Sequence, residues 1–239
     1  MNTRPYLIIN DKKSTDIKGL LISSLAPITK PAIRTQVETI DGRDGDIVTE
    51  LGFSAYDKKV DIALSYEYCV DDVIEYFSQS GKVVFSNEPD KYYLFNIYKA
   101  IDFERLIRFK QATVTFHVQP FKFSESENTK TFTTNPDNEF VIRNNGNIYS
   151  RPILTIEGRR NLVMRINGEQ VLLVNLPLGG GYIKIDAAQM NAYGEDGALL
   201  NRQVIGNYDN IRLKKGENII SLTNGNVAKL SIDNYSRWI

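Results

Sequence analysis

The residues after position 128 repeat one pattern, in which short segments alternate apolar and polar side chains and glycine or asparagine separates them. An alternation with a period of two indicates a β-strand that buries one face. Short strands that are closely spaced by turns are typical of sandwiches and jelly rolls. The pattern therefore predicts an all-β C-terminal half, whose turns are IRNNGN, IEG, ING, LGGG, YGEDG, KKGEN and TNGN.

Two stretches of this half give specific predictions. Asn167 and Gly168 separate LVMRI from EQVLLV, and both residues readily adopt the positive φ of a two-residue type I′ turn. We therefore predict a β-hairpin there. The final run, VAKLSIDNYSRWI, predicts a last strand that anchors Trp238. The residues expected on its buried face are Ala228, Leu230 and Ile232.

The first half of the chain mixes strands with one helix. The stretch VDIALSYEY alternates strictly, and the residues expected on its buried face are Val60, Ile62, Leu64, Tyr66 and Tyr68. The next stretch predicts a short helix that ends near Gly81 and packs its apolar stripe on the sheet; the stripe is Val70, Val73, Ile74 and Phe77. Strands before and after a single helix favour an antiparallel, mainly β unit over a βαβ unit.

The stretch TVTFHVQPFKFSES begins as a strand and then meets a proline. Pro120 has no N–H to donate to a sheet, so we predict that the strand ends there. Two aromatic residues, Phe121 and Phe123, follow and lead into a polar run over residues 124–130 that resembles a linker. We therefore predict two domains, residues 1–127 and 128–239.

Charge and cysteine content restrict the possible functions. The 29 basic and 29 acidic residues balance, so net charge gives no argument for binding nucleic acid or an anionic membrane. A single cysteine, Cys69, excludes an internal disulfide and a CxxC motif. No apolar run is long enough for a signal peptide or a membrane span. We expect synthesis in a cytoplasm, with release by lysis or within a larger assembly.

The sequence contains no strong candidate for a catalytic or metal-binding residue. His117 is the only histidine, and a solvated or interface role is favoured over a catalytic base. One His and one Cys cannot form a zinc site. The three aspartates of DGRDGD lack the spacing of a calcium loop, since Arg43 and Gly45 occupy positions where oxygen ligands are required. We predict no catalytic residue, metal or cofactor.

Two binding or catalytic alternatives stay open. A carbohydrate-binding module fits a β-sandwich, although core or interface packing is favoured for each candidate aromatic residue; these are Tyr182, Tyr193, Tyr208, Tyr235 and Trp238. The module is distinguished by two or more of these aromatic residues on one concave face. A glycoside hydrolase needs two opposed carboxylates, and no pair stands out among 29 acidic residues.

Five stretches, in this order and spacing, resemble the siphophage distal tail protein family (Dit), also called siphovirus tail component. They are IDGRDG at 40–45, VTFHVQPFKF at 114–123, NNGNIYSRPILTIEG at 144–158, YIKID with NAYGEDGALLN, and LKKGENIISL with the final SRW. Together they span nearly the whole chain.

The resemblance implies a virion protein without enzymatic activity. Dit proteins form a ring, typically a hexamer, at the distal end of a long noncontractile tail, with a channel for DNA. The N-terminal ring-forming domain is sandwich-like, with one short helix and an extended hairpin that clasps the neighbouring subunit. The C-terminal domain is a galectin-like or jelly-roll sandwich that serves as a dock or spacer.

Expected partners and site residues also follow from the resemblance. The partners are other copies of the chain, the major tail or tail-tube protein and a tail-tip or tail-associated lysin protein. Receptor-binding proteins are candidate further partners, and no sequence-specific nucleic acid or membrane insertion is expected. Arg43, in the GRDG turn, is expected to make an inter-subunit contact or to stabilise the turn. Phe121 and Phe123 are expected to seal the base of the first domain where the chain leaves it.

Overall fold

The computed structural model describes residues 4–133 and 138–239, and the chain divides into two compact units. Unit 1 comprises Met1–Glu125 together with Ile239, and unit 2 comprises Ser126–Trp238. The boundary predicted from the sequence, after residue 127, lies just beyond this division. Strands dominate both units, so the predicted mainly β fold class is confirmed.

Unit 1 is built from a large sheet, a separate ribbon and two helices. Its strands are β1 (Leu7–Ile9), β2 (Lys12–Lys13), β3 (Leu20–Ser24), β4 (Ile33–Thr39), β5 (Asp46–Phe53), β6 (Tyr56–Leu64), β7 (Gly81–Phe85), β8 (Lys91–Asn96) and β9 (Gln111–Ser124). Its α-helices are α1 (Val70–Phe77) and α2 (Phe103–Phe109). Seven strands form one antiparallel sheet in the order β2-β1-β7-β8-β9-β6-β3, and β4 and β5 form a separate two-stranded sheet.

Helix α1 is the helix that the sequence predicts, and it packs on the sheet. Its side chains Val73, Tyr76 and Phe77 are buried in the core of unit 1. The Tyr76 hydroxyl donates to the carbonyl oxygens of Leu7 and Lys12, each 3.3 Å away. The helix is therefore tied to the first two strands by hydrogen bonds as well as by apolar contact.

Helix α2 is a second helix, which the sequence pattern does not predict. The Asp102 carboxylate caps it by accepting a hydrogen bond from the Arg105 N–H at 2.8 Å. Lys110 ends it in the left-handed conformation, with φ 58°. The buried residue of α2 is Leu106. Phe103, Leu106 and Ile107 do have the helical spacing i, i+3 and i+4, but the helix is only seven residues long, so its apolar pattern covers little more than one turn.

Strand β6 is shorter than its alternation predicts. Val60, Ile62 and Leu64 are buried, as expected. The strand ends at Leu64, however, and Tyr66 is fully exposed. The prediction that Tyr66 shares the buried face is wrong, because the chain leaves the sheet after Leu64 to enter α1.

Strand β9 continues through Pro120, so the prediction that the strand ends there is wrong. It pairs with β6 only as far as Val118. With β8 its register shifts between Tyr93 and Phe95, opposite Pro120. Pro120, which has no N–H, lies within this irregularity, where the regular hydrogen bonds between β8 and β9 are interrupted and no donor is needed. The buried side of the strand therefore extends past Pro120 to Lys122.

Lys122 belongs to a buried cluster of polar side chains, completed by Lys58, Glu88 and Tyr93. The Glu88 carboxylate accepts hydrogen bonds from Lys122 Nζ at 2.8 Å and from the Tyr93 hydroxyl at 2.7 Å. Lys58 Nζ donates to the carbonyl oxygen of Pro27 at 2.9 Å and lies 5.2 Å from the Tyr93 ring centroid. Burial lowers the pKa of Lys58 and raises that of Tyr93. One carboxylate therefore compensates two buried ammonium groups.

Unit 2 consists of two sheets that enclose one core. Its strands are β10 (Lys130–Thr133), β11 (Glu139–Asn144), β12 (Ile153–Arg159), β13 (Asn161–Ile166), β14 (Glu169–Asn175), β15 (Gly181–Asp186), β16 (Asn191–Tyr193), β17 (Val204–Gly206), β18 (Gly216–Thr223) and β19 (Asn226–Asp233). The two five-stranded sheets are ordered β10-β19-β12-β15-β16 and β11-β18-β13-β14-β17. Apolar side chains of both sheets meet in the core, as in a sandwich.

The predicted hairpin of unit 2 is confirmed, and the predicted last strand needs one correction. Asn167 and Gly168 have φ 53° and 86° and join β13 to β14. In β19 the residue next to the predicted Ala228, Val227, is buried, whereas Ala228 is exposed. The prediction for Ala228 is wrong because a register shift at Glu157 makes Ala228 the extra residue of a bulge.

Candidate assembly surface

The ribbon formed by β4 and β5 is the most exposed element of unit 1. We call residues 33–53 the arm. Cross-strand pairs run from Ile33 opposite Phe53 to Thr39 opposite Asp46. At about 3.3 Å per residue, its longer strand extends roughly 25 Å. Among the described residues, the arm pairs with no other sheet, so both of its edges are open.

One face of the arm is apolar and exposed to solvent. Val37 lies directly opposite Val48, and Ile33 shares their side of the ribbon. These side chains are 54%, 59% and 37% exposed, respectively. Phe53 completes this face near the root, and its ring packs edge to face on Phe121 at 5.4 Å. We call Ile33, Val37, Val48 and Phe53 the apolar face of the arm.

The arm is also acidic. Five acidic residues against two basic ones give residues 33–53 a net charge of −3; the acidic residues are Glu38, Asp41, Asp44, Asp46 and Glu50, and the basic ones are Arg34 and Arg43. Two of the carboxylates, Asp46 and Glu50, lie on the apolar side because they pair with Thr39 and Thr35. The arm therefore presents apolar and negatively charged groups together.

The root of the arm is fixed to the main sheet by hydrogen bonds. The Ser54 N–H donates to the Ala32 carbonyl oxygen at 2.8 Å, which closes the ribbon. The segment before the arm is held by the Lys58 bond to Pro27 and by a hydrogen bond of 3.1 Å from Asn87 Nδ2 to the carbonyl oxygen of Ala26. The buried cluster thus supports the start of the arm.

Arg43 lies at the tip of the arm, in a turn between β4 and β5. Gly42 and Gly45 have φ 80° and 76°, as expected for Asp-Gly turns. The Arg43 N–H donates to the Ile40 carbonyl oxygen at 3.1 Å. Among the described residues, the Arg43 side chain has no hydrogen bond or ion pair. The guanidinium is therefore available to a partner.

Phe121 and Phe123 lie on the outer side of β9 and are half-buried. Phe121 contacts Phe53 at the root of the arm, and Phe123 stacks on Tyr92 with ring centroids 5.5 Å apart. The structure does not bring either residue to Arg43. The expected role of this pair as a seal at the domain exit stays a prediction.

His117 has a partner that sequence reasoning missed. Its Nδ1 lies 2.9 Å from Asp57 Oδ1 across the β6–β9 pair. Asp57 also accepts a hydrogen bond from Lys99 Nζ at 2.7 Å. The bonds from Lys99 and His117 hold the pKa of Asp57 below its ordinary value. These three side chains form a hydrogen-bonded network at the surface of the sheet.

Two of the candidate aromatic residues of unit 2 share one sheet face. Tyr182 pairs with Glu157, and Tyr193 pairs with Lys184, which places all four on the outer side of the sheet. Tyr182 also lines a depression of about 510 Å³ with Glu157, Gly180 and other residues. In contrast, Tyr235 is buried, while Tyr208 and Trp238 are half-buried.

No helix among the described residues is long and apolar enough to cross a membrane. No family model matches the sequence, and no curated protein matches it either.

Solved structures give clear matches. The chain is similar to the SPP1 Dit (gp 19.1) protein, described as a paradigm of the hub adsorption apparatus of phages that infect Gram-positive bacteria. The TM-score is 0.63 at 16% identity, over 97% of this chain and 99% of that one. A chain of the phage P2 baseplate in its activated conformation with Ca matches with a TM-score of 0.52 at 11% identity, over 96% and 97%. Our chain therefore has the fold of the SPP1 Dit protein along nearly its whole length.

Proposed function

We propose that the chain is a structural subunit of a long noncontractile phage tail. Copies of it assemble through the arm into a ring, typically of six, at the distal end of the tail. The ring joins the tail-tube protein to tail-tip or baseplate proteins and leaves a channel for DNA. The fold shared with a hub adsorption protein supports this role, and the exposed apolar face of the arm is the observation that carries it.

An isolated two-stranded ribbon is marginally stable in water. The arm therefore needs a surface that covers its apolar face, and a neighbouring copy provides one. A ring uses a single heterologous interface repeated around an axis, so each subunit needs one protruding element and one receiving surface, and no catalytic step. Covering the arm also protects open strand edges from unwanted pairing.

The zero net charge of the chain is compatible with passage of DNA through the channel of the ring. Net charge is zero, so the chain carries no excess of basic residues that would hold phosphates in a channel. Unit 2 serves as a dock or spacer on the ring, and its partners are tail-tip proteins or receptor-binding proteins. We assign no enzymatic step to either unit.

The test of the ring is the mass of the purified chain in solution. Light scattering over a range of concentrations should give a discrete species near six times the 27.2 kDa subunit. Electron microscopy of that species should then show a central pore. A chain that stays monomeric up to millimolar concentration, alone and with a tail-tube protein, would contradict the proposal.

Arg43 is expected to contact the neighbouring subunit from the tip of the arm. Replacing it by Arg43→Ala should weaken subunit association by about 10-fold, because one or two charge-assisted hydrogen bonds are lost. The unfolding temperature of the monomer should not change, since the side chain is exposed at the tip. Arg43→Lys keeps the positive charge but loses the bidentate geometry. Its subunit association therefore shows whether charge alone is sufficient for the contact. Unchanged association of Arg43→Ala would disprove the contact.

Saccharide binding by unit 2 is a second candidate function, favoured by one observation. Tyr182 lies beside carboxylate and amide groups in a shallow depression, an arrangement that suits stacking and hydrogen bonding of a sugar ring. A glycan panel should then identify a ligand whose affinity falls about 10-fold in Tyr182→Ala. Tyr208→Phe is the matched control, because Tyr208 does not line that depression. Binding that is absent, or equal in both variants, would exclude this site.

A further inference from the structure

Helix α2 carries a second exposed surface of unit 1, which has no partner in the part of the chain that the structure describes. Phe109 is 63% exposed at the end of the helix. Together with Arg105 and Arg108 it lines a depression of about 400 Å³ on one side of α2, which Asp102 and Glu104 also line. Positions 105, 108 and 109 lie close together around a helix, so their side chains share one face. We call Arg105, Arg108 and Phe109 the helix patch.

The segment that carries the helix patch is basic overall, whereas the arm is acidic. Four basic residues against two acidic ones give residues 99–110 a net charge of +2; they are Lys99, Arg105, Arg108 and Lys110 against Asp102 and Glu104. Lys99 is bound to Asp57 and Lys110 to the Tyr68 hydroxyl, each at 2.7 Å.

The two arginines of the patch differ from those lysines. Among the described residues, neither Arg105 nor Arg108 has an ion pair or a side-chain hydrogen bond. The guanidinium of Arg108 lies over the Phe109 ring, 5.5 Å from its centroid. Two guanidinium groups therefore face solvent beside an exposed aromatic ring.

The arm and the helix patch carry chemically complementary groups, since each combines apolar side chains with charges of opposite sign to those of the other. The arm presents Val37 and Val48 with the carboxylates of Asp46 and Glu50 on one face. The patch presents an exposed aromatic ring with two guanidinium groups. Arginine pairs with a carboxylate by parallel hydrogen bonds, and apolar groups between such pairs exclude water from them.

We propose that the apolar face of the arm docks on the helix patch of a neighbouring copy of this chain, with Asp46 and Glu50 paired to Arg105 and Arg108. This inference rests on the proposed ring and identifies the surface that receives the arm. A repeated heterologous interface requires a protruding element and a complementary receiving surface on each subunit. Opposite charges on the two surfaces add specificity to that contact. Like charges would oppose arm-to-arm and patch-to-patch contacts, so the pairing also fixes the direction of assembly.

Charge reversal tests this docking. The variant Arg105→Glu/Arg108→Glu places two carboxylates opposite those of the arm, so subunit association should weaken by at least about 100-fold. The variant Asp46→Arg/Glu50→Arg should weaken it similarly. Combining all four substitutions restores opposite charges and should recover most of the loss. Light scattering measures association, and thermal unfolding of each variant checks that the monomer stays folded.

The matched control is Arg143→Glu/Arg202→Glu, which makes the same charge change on exposed residues of unit 2. Its association should stay within about twofold of the original. If the chain assembles but reversal at α2 leaves assembly unchanged, or the four substitutions give no recovery, the docking is wrong and the ring stands. If the original chain never assembles, the proposed ring fails and the docking fails with it.

Discussion

The double variant Val37→Asp/Val48→Asp should remain folded and fail to assemble. Both valines lie on the apolar face of the arm and are more than half exposed in the single chain, so their loss costs the monomer little. In the proposed ring the same positions would be covered, and each new carboxylate would be buried without a partner, because Asp46 and Glu50 already pair with the two arginines of the helix patch. Such burial costs several kcal/mol per ion, so association should weaken by about 1000-fold or more.

The opposite face of the arm provides the control for this variant. Gln36 lies across from Thr49, as Val37 lies across from Val48, so Gln36→Asp/Thr49→Asp adds the same charges at the same depth of the ribbon. Sedimentation at equal concentrations should show a ring for the control and monomers for the valine variant. Equal assembly of the two variants would mean that the apolar face of the arm is not the interface.

Removing the carboxylate of the buried cluster should cause the largest loss of stability. In Glu88→Ala, Lys122 and Lys58 stay buried without a compensating charge, and the Tyr93 hydroxyl loses its acceptor. Removal of one partner of a buried ion pair typically costs about 3–5 kcal/mol. Urea unfolding followed by circular dichroism should show this loss in the transition of unit 1, with the transition of unit 2 unchanged.

A double-mutant cycle shows whether the cause is the unpaired charge. Glu88→Leu/Lys122→Met removes both charged groups of the pair and keeps similar volumes, so it should be more stable than Glu88→Leu alone. Asp90→Ala is the surface control, because its ion pair with Lys91 is largely exposed on the aspartate side. Equal stability of the double and single variants would show that lost packing, and not buried charge, explains the effect.

The features that the sequence predicts correctly depend on local patterns. The apolar spacing of Val73 and Phe77 identifies α1, and the Asn167–Gly168 pair identifies a hairpin, because in both cases neighbouring residues contain the whole signal. The resemblance of five ordered stretches leads to the fold of the SPP1 Dit protein, although identity to it is 16%. The two chains therefore share a fold although most of their aligned residues differ.

The failures arise where pairing between distant segments decides the outcome. Pro120 is tolerated inside β9 because β8 shifts register opposite it, and Ala228 turns outward because of a bulge opposite Glu157. The residues around Pro120 and Ala228 do not indicate which distant strand pairs with them or in what register. Lys122 between two phenylalanines reads as an exposed residue, yet Glu88 compensates its burial.

The candidate interface is hidden from sequence for a related reason. Val37 and Val48 have the alternation of ordinary buried strand residues, and only the isolation of the β4–β5 pair shows that no other part of the chain, over the residues described, covers them. The GRDG motif predicts the turn that carries Arg43, whereas no local motif distinguishes the apolar face of the arm from a buried strand face.

The isolation of the arm has a consequence for the order of events during assembly. A two-stranded ribbon with no sheet behind it opens and closes independently of the unit that carries it, so its amides should exchange with solvent long before those of β6 or β9. In the proposed ring, each arriving subunit would supply the ordering energy for its neighbour's ribbon, and an incomplete ring would keep one uncovered ribbon. Closure would cover that last ribbon, which would make the closed ring kinetically long-lived and partial rings short-lived.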